Sequence, residues 1–320
     1  MPENPIGIFY EHPHWFQSLF AELDRRRIDY EKIHLHSHLF DPCAGKPDYS
    51  LVVNRVSAYP STASEPSVVL YVKQYLAYLE SIGTRVLNGW RSYEVGTSKA
   101  LQMHIFNQLG LNVPKSRVVH HAGQILEASE DLRFPLLIKP NVGGSGAGIA
   151  LFDTHEALAL AVEADEIDLG IDRVALLQEY LKPKDGCIYR VEILNDAFLY
   201  AIRLPILGES FNYCPADGCN IERFDYCPVD GASGGVDDTT GPGISAFEPD
   251  PVVIDQVRQS VAAAGADIGG VEYLVNAADD QLYFYDINPL SNFVANARQV
   301  VGFDPIPRFV DYLIEKAAPS

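Results

Sequence analysis

"FPLLIKPNVGGSGAGIALFDT", residues 134–154, places one lysine at the end of an apolar run, a glycine-rich stretch after it, and a second apolar run beyond. Gly143, Gly144, Gly146 and Gly148 fall within six residues. Glycines beside a strand let backbone N–H groups approach an anion with no side chain in the way. Two common phosphate loops do not fit. A Rossmann fingerprint closes a strand and opens a helix, and a P-loop puts Lys-Ser or Lys-Thr after its last glycine. Here Ile149, Ala150, Leu151 and Phe152 follow, too short and too apolar a run for an amphipathic helix, and Lys139 precedes the glycines. The stretch reads as a hairpin with strands at 136–139 and 149–152 and its tip at 141–148. A flexible tip without ligand is the alternative, since glycine punctuates loops generally.

Composition bounds what such a hairpin could serve. The chain has 320 residues, 47% of them hydrophobic, enough for two or three subdomains with a substantial core. Lys plus Arg number 24 against 43 Asp plus Glu, and the net charge of −19 argues against a nucleic-acid or anionic-membrane surface. An anionic ligand then needs a local basic pocket. There is no run of 18 apolar residues, and "MPENPIGIFYEHP" lacks the basic and apolar regions of a signal peptide, so a soluble, cytoplasmic protein is expected. Five cysteines suggest reduced thiols. Cys214, Cys219 and Cys227 lie close together, but no CxxC pair and no histidine beyond His155 support a zinc site, and no metal is expected there. His34, His36 and His38 alternate as on a strand, where three rings would share a face; a polar strand end is the preferred reading over a metal site.

Read along the chain, strands at 6–9, 33–39 and 49–55 alternate with helical spacing at 13–26 and 68–82, and 83–87 returns as a strand. This predicts a small parallel α/β layer, residues 1–91. A central block, 92–181, opens on a helix carrying Lys99, contains the glycine hairpin, and ends on "ALLQEYLKPKDG". The last block, 182–320, holds the strands "CIYRVEIL" and "AFLYAIRLPI", a long loop at 208–248, a helix at 252–264 and the strands "GGVEYLVN" and "QLYFYDINP". A loop of that length is expected to be a substrate-covering lid. Asp286 and Asn288 share a strand face, and if the last two strands pair, Glu272 joins them. Two carboxylates and an amide oxygen suit Mg²⁺; a solvated acidic turn is the alternative.

The order of these features resembles the ATP-grasp superfamily, and within it the RimK-like carboxylate–amine ligases related to glutathione synthetase. "SKALQMHIFNQLGLNVPKSRVV" is similar to the family's opening helix, "FPLLIKPNVGGSGAGIALFD" to its lysine strand and phosphate-covering loop, "LLQEYLKPKDGCIYRVEIL" to its adenine hinge, and "IGGVEYLV" with "YFYDINPLSN" to its metal-binding strands. The resemblance implies an α/β (α+β) ATP-grasp fold in which two α+β subdomains grip ATP behind an N-terminal parallel layer. It implies that Lys99 and Lys139 contact the phosphates, with Lys139 also within reach of the adenine. Gly143, Gly144, Ser145, Gly146 and Gly148 would close over the β- and γ-phosphates. Gln178, Glu179, Tyr180 and Leu181 would form the hinge, Asp185 would meet the ribose, and Glu272, Asp286 and Asn288 would hold Mg²⁺, with Mn²⁺ as a substitute. Arg190 and Arg203 match strand positions where the family faces the phosphates.

Some residues depart from the RimK pattern. Glu272 stands where an Asp is usual and Asp286 where a Glu is usual; "NPLSN" has Leu290 where other branches have arginine, and only "SFN", 210–212, echoes the acceptor loop. The expected activity is an ADP-forming ligase that joins a small carboxylate to an amine through an acyl phosphate. A phosphotransferase, a thiol ligase and a non-catalytic nucleotide sensor are the alternatives, and a homodimer is left open.

Overall fold

The structure, a computed structural model, describes residues 4–12, 15–57, 66–144, 146–206 and 243–318. Ser145, the three clustered cysteines and most of the expected lid therefore lie outside the described residues.

The N-terminal layer is built from β1 (Ile6–Tyr10), α1 (Gln17–Arg26), β2 (Tyr30–His34), β3 (Leu51–Arg55), α2 (Pro66–Ser81) and β4 (Val86–Leu87). Its four strands are parallel in the order β2-β1-β3-β4. The apolar side chains of β1 and β3 are buried on both sheet faces, as a covered parallel sheet requires. One face packs α2 through Val69, Val72 and Leu76. The other packs α1 together with the C-terminal helix described below.

The histidine triplet corrects the strand expected at 33–39. Strand β2 ends at His34, and residues Leu35–Ser37 form a turn of 3₁₀ helix. Leu35 turns into the core, and His38 packs on Tyr75 with ring centroids 4.2 Å apart while Tyr71 Oη lies 2.9 Å from its Nδ1. Burying Leu35 and His38 against α2 wins over strand alternation, so the three rings do not line one strand face.

Two helices follow, α3 (Trp90–Gly96) and α4 (Lys99–Gln108). Ser98 begins α4 as its N-cap, its hydroxyl accepting from Leu101 N at 3.2 Å. The central unit then runs β5 (Ser116–Val119), α5 (Ile125–Ser129), β6 (Leu136–Pro140), β7 (Ala150–Phe152), α6 (His155–Glu163) and β8 (Ala175–Glu179). Its antiparallel sheet has the order β5-β8-β6-β7. The quoted hairpin is β6 and β7, paired Leu136 to Phe152 and Ile138 to Ala150. One face of this sheet closes a separate small core with α5 and α6.

The last unit comprises β9 (Cys187–Leu194), β10 (Ala197–Pro205), β11 (Ser245–Ala246), α7 (Pro251–Ala263), β12 (Ile268–Val275), β13 (Leu282–Asn288), α8 (Ala297–Val300) and α9 (Ile306–Ala317). Its sheet is antiparallel in the order β11-β10-β9-β12-β13. Helices α4 and α7 cover one face through Phe106, Val257 and Val261 against Val191, Val271 and Phe284. The opposite face shares a core with the N-terminal layer, joining Ile188, Ile202 and Ile268 to Ile8, Val53 and Phe309 of α9. Helix α4 thus packs on the C-terminal sheet while its first turn reaches the glycine hairpin. That bridge positions the site.

Candidate active site

Strand register decides which side chains meet. Residues directly paired across strands share a face, as do alternate residues along one strand. Glu272 pairs with Asp286 on one side and with Arg190 on the other; Gly270 pairs with Asn288 and with Glu192. Glu272, Asp286, Asn288, Arg190 and Glu192 therefore occupy one face of three adjacent strands. Gly270 lies beneath them for a steric reason: a Cβ there would come within 2.6 Å of Glu192 Oε1 and 2.7 Å of Arg190 Nε.

The lysines approach this face from α4 and β6. Lys99, the first residue of α4, places Nζ 2.9 Å from Asp286 Oδ1. Lys139, near the end of β6, is only 5% exposed, with Nζ 5.9 Å from the centre of the Tyr285 ring. Burial, reinforced by repulsion from Lys99, pulls the Lys139 ammonium down to about 7, against the attraction of Asp286 and Glu272. Tyr285 is the extra residue of a bulge between Glu272 and Tyr273, and its side chain hydrogen-bonds Glu272.

Glu272 is the carboxylate most affected by this crowding. Burial, then repulsion from Asp286, pushes the Glu272 carboxyl up, with Arg190, Tyr285 and Lys99 opposing. Arg190 donates from Nε to Glu192 at 2.7 Å and from Nη1 to Glu272 at 3.3 Å. Burial lowers the Arg190 guanidinium, but Glu192 and Glu272 more than reverse that and hold it charged. Two carboxylates crowded on one buried face fit a divalent cation with hard oxygen ligands. Among the described residues no three His, Cys, Asp or Glu side chains gather in one metal group; the third oxygen here is the Asn288 amide, which already accepts from Leu290 N at 3.0 Å.

The glycine tip leaves β6 just after Lys139 and packs back on Pro140. Gly146 and Gly148 have φ of 74° and 73°, which side chains other than glycine rarely tolerate. A Cβ on Gly148 would also come within 2.9 Å of Pro140 Cγ. Gly143 and Gly144 are half-buried, and Ala147 N donates to Gly144 O at 3.1 Å. The hinge segment is partly committed: Glu179 N donates to Lys115 O and Tyr180 N to Pro135 O, both at 2.9 Å. Gln178 is buried with its amide 2.9 Å from Ser116 Oγ, and Glu179 is gripped by Arg133, whose Nη2 lies 2.7 Å from Oε2. Leu181 follows, half-buried.

Arg203 is not brought to this face. It pairs with Tyr189, whereas Arg190 pairs with Ile202, so the two arginines point to opposite sides of the sheet. Arg203 Nε donates to Cys187 Sγ at 3.0 Å, and its Nη2 lies 3.9 Å from Asp185. Asp185 is engaged there, also accepting from Tyr189 Oη. A one-residue offset in register is enough to separate them.

Three residues escape the sequence reading. Gln102 is 1% exposed; its amide takes the Ile287 N–H at 3.1 Å and gives to Ile287 O at 3.0 Å, pinning β13 between Asp286 and Asn288. Asn141 accepts from Ala100 N at 3.1 Å and donates to Asp172 at 2.9 Å, tying the hairpin to the start of α4. Glu192 is the third, and its spacing, two residues beyond Arg190 on the same strand, is the signal that could have found it. Gln102 offered a weaker signal, one polar residue a helical turn beyond Lys99 among apolar neighbours.

Solved structures with the same course of chain decide the fold. The chain has the ATP-grasp fold. Over 96% of its length it superposes on 98% of a RimK domain ATP-grasp protein from Sphaerobacter thermophilus, with a TM-score of 0.68 at 15% identity. A D-alanine–D-alanine ligase from Bacillus anthracis, complexed with ATP, matches 98% of the chain and 96% of its own, with a TM-score of 0.62 at 16% identity. Residues 96–206 match the RimK-like ATP-grasp domain model. A probable α-L-glutamate ligase from Vibrio vulnificus is 23% identical over 158 residues, 49% of this chain and 49% of the relative. The aligned part thus spans about half the length of such curated relatives. No helix among the described residues is long and apolar enough to cross a membrane.

Proposed function

We propose that this protein is an ADP-forming ligase that uses MgATP to join a small carboxylate, amino-acid-like in kind, to an amine. The observation that carries this reading is the convergence of Lys99, Arg190 and Lys139, the last on the strand that enters the glycine hairpin, with Glu272, Asp286 and Asn288.

A carboxylate does not acylate an amine at neutral pH, because oxide is the leaving group. In the first step a carboxylate oxygen bonds to the γ-phosphorus and the bond to the β-bridging oxygen breaks, releasing ADP. The amine nitrogen then attacks the acyl phosphate, phosphate leaves, and the amine loses a proton. Phosphoryl transfer needs placement and charge neutralisation more than covalent help. Lys99 and Lys139 offset phosphate charge, and the glycine tip offers backbone N–H groups. Glu192 and Glu272 hold the Arg190 guanidinium in one orientation. Glu272, Asp286 and Asn288 would hold Mg²⁺, which supplies charge neutralisation at the phosphates. With Glu179 N and Tyr180 N committed, recognition of the base falls to the hinge carbonyls and Leu181.

Incubation of labelled ATP with a panel of amino acids and small organic acids tests this. ADP and phosphate should appear only with particular carboxylates, and hydroxylamine should trap the activated carbonyl as a hydroxamate. AMP as product would sink the mechanism. A stable phosphorylated product would indicate a phosphotransferase, and tight ATP binding without turnover a sensor.

A further inference from the structure

The two lysines of the candidate site stand on elements with separate cores. Lys99 opens α4, which packs on the C-terminal sheet, whereas Lys139 lies on β6, whose sheet closes its own core with α5 and α6. Like charges repel, and Lys99 is the second largest influence lowering the Lys139 ammonium. Keeping the two cations together calls for a joint between α4 and β6.

Asn141 makes that joint. It follows β6 directly, two residues beyond Lys139, and is 8% exposed. Its carbonyl oxygen accepts from Lys99 N at 3.2 Å, and its Oδ1 accepts from Ala100 N at 3.1 Å and from Ser98 Oγ at 3.2 Å. Ser98 Oγ in turn accepts from Leu101 N at 3.2 Å. The first N–H groups of a helix have no partner within it; here the base of the hairpin and Ser98 supply them. On its other side Asn141 N donates to Val174 O at 2.8 Å and Nδ2 donates to Asp172 Oδ2 at 2.9 Å, while Asp172 Oδ1 accepts from Val174 N at 3.3 Å. A Cβ on Gly170 would come within 2.6 Å of Pro140 Cβ, so the 170–174 segment lies close against the same strand end. With both Oδ1 lone pairs used and Nδ2 engaged, the side chain cannot turn without losing bonds to both neighbours.

We infer that Asn141 is a positioning residue: braced by Asp172, it fixes the backbone of Lys99 against the strand end of Lys139, so that both ammonium groups meet one polyphosphate. This rests on the ligase reading, at its nucleotide site, and names the part of the chain that sets the lysine spacing. Asn141 itself need not touch the nucleotide. Cations held in place before the ligand arrives spare the ordering cost that loose side chains add on binding.

The test measures two ligands on the whole protein by calorimetry: a non-hydrolysable ATP analogue with Mg²⁺, and adenosine, which lacks the phosphates. The wild type should favour the analogue; no preference there would overturn this inference and the nucleotide site together. Asn141→Ala, confirmed folded by circular dichroism, should cut the preference about tenfold with adenosine binding held within about twofold, as misplacement at the phosphates alone requires. Asp172→Ala should cut it about threefold, although removing a negative charge would by itself favour a polyphosphate. Asp172 is exposed outside any helix or strand, so this variant keeps the test if Asn141→Ala fails to fold. Equal weakening of analogue and adenosine would make Asn141 a structural residue only and overturn the assignment. An unchanged preference in both variants, or a rise in Asp172→Ala, would overturn it too. The ligase reading fails separately: a preference lost in the variants, with no ADP from any substrate panel, overturns the ligase and leaves the joint. ADP formation beside an unchanged preference overturns the joint alone.

Discussion

Arg190 and Arg203 sit on neighbouring strands and look equivalent in sequence, each an arginine inside an apolar strand. Their surroundings are opposite. Arg190 is buried between Glu192 and Glu272 on the face that carries the candidate metal ligands; Arg203 is 44% exposed on the other face, beside Cys187 and Asp185. The difference is one residue of register, not residue type. It teaches that strand membership alone does not assign a side chain to a site, and that the pairing of Glu272 with both Arg190 and Asp286 is the decisive fact.

The strongest way to break the comparison is to neutralise the shared face. Asp286→Asn and Glu272→Gln should each keep the fold, since each swap preserves the side chain's size and a hydrogen-bonding oxygen, and should lower turnover by at least ~10³-fold, the scale of charge stabilisation in phosphoryl transfer. Steady-state ADP release at saturating Mg²⁺ is the measurement. Turnover within tenfold of wild type in both would remove the two carboxylates from the chemistry.

The arginines themselves come next. Arg190→Lys keeps a cation yet loses the two-point hold of Glu192 and Glu272, and kcat should fall by roughly 10²-fold with the KM for ATP little changed. Arg203→Lys should stay within about threefold of wild type, because an exposed pair at 3.9 Å contributes little. Equal losses in the two variants would erase the distinction between the faces.

Much of the frame was legible before any coordinates. The parallel layer, the lysine hairpin and the paired final strands follow from apolar period, glycine placement and turn residues, because each depends on neighbours close in sequence. The faces of Arg190 and Arg203 did not follow, since each requires a register between strands joined by a reversal. The histidine triplet misled because alternation over five residues, His34 to His38, competes with the burial of one leucine, Leu35. Gln102 gave only a weak signal for a different reason: its partner Ile287 lies 185 residues away along the chain. A sequence window can show a polar residue among apolar neighbours but not the strand it bonds.

That residue gives the third test. Gln102→Leu keeps volume but leaves the N–H and C=O of Ile287 without their partners, at a cost of roughly 1–3 kcal/mol for each buried group left unpaired. Because β13 also carries Asp286 and Asn288, the Mg²⁺ concentration for half-maximal turnover should rise several-fold. Denaturant unfolding and Mg²⁺ titration together separate the two effects. Lost stability with an unchanged Mg²⁺ requirement would make Gln102 a packing residue only.

The smallest effect is a fraction of a proton, and Lys139 carries it. Its folded ammonium is drawn down to about 7 by burial first and Lys99 second, whereas an unfolded lysine titrates near ~10.4. Between those values the unfolded chain binds a proton that the folded chain lacks, so stability from this group rises with pH across the window and its penalty is complete below about 7. A bound polyphosphate favours the charged form and should return the proton. MgATP-analogue binding should therefore take up most of a proton at pH ~8.5 and almost none at pH ~6. Titration calorimetry in buffers of different ionisation heat reads this directly. Lys139→Met should abolish the uptake and weaken the nucleotide by about one to two orders of magnitude, as loss of a charged hydrogen bond predicts. Arg203→Lys, on the opposite face, should leave the uptake as it is. Uptake that persists without Lys139, or is absent from the wild type, would move the buried ammonium away from the phosphates.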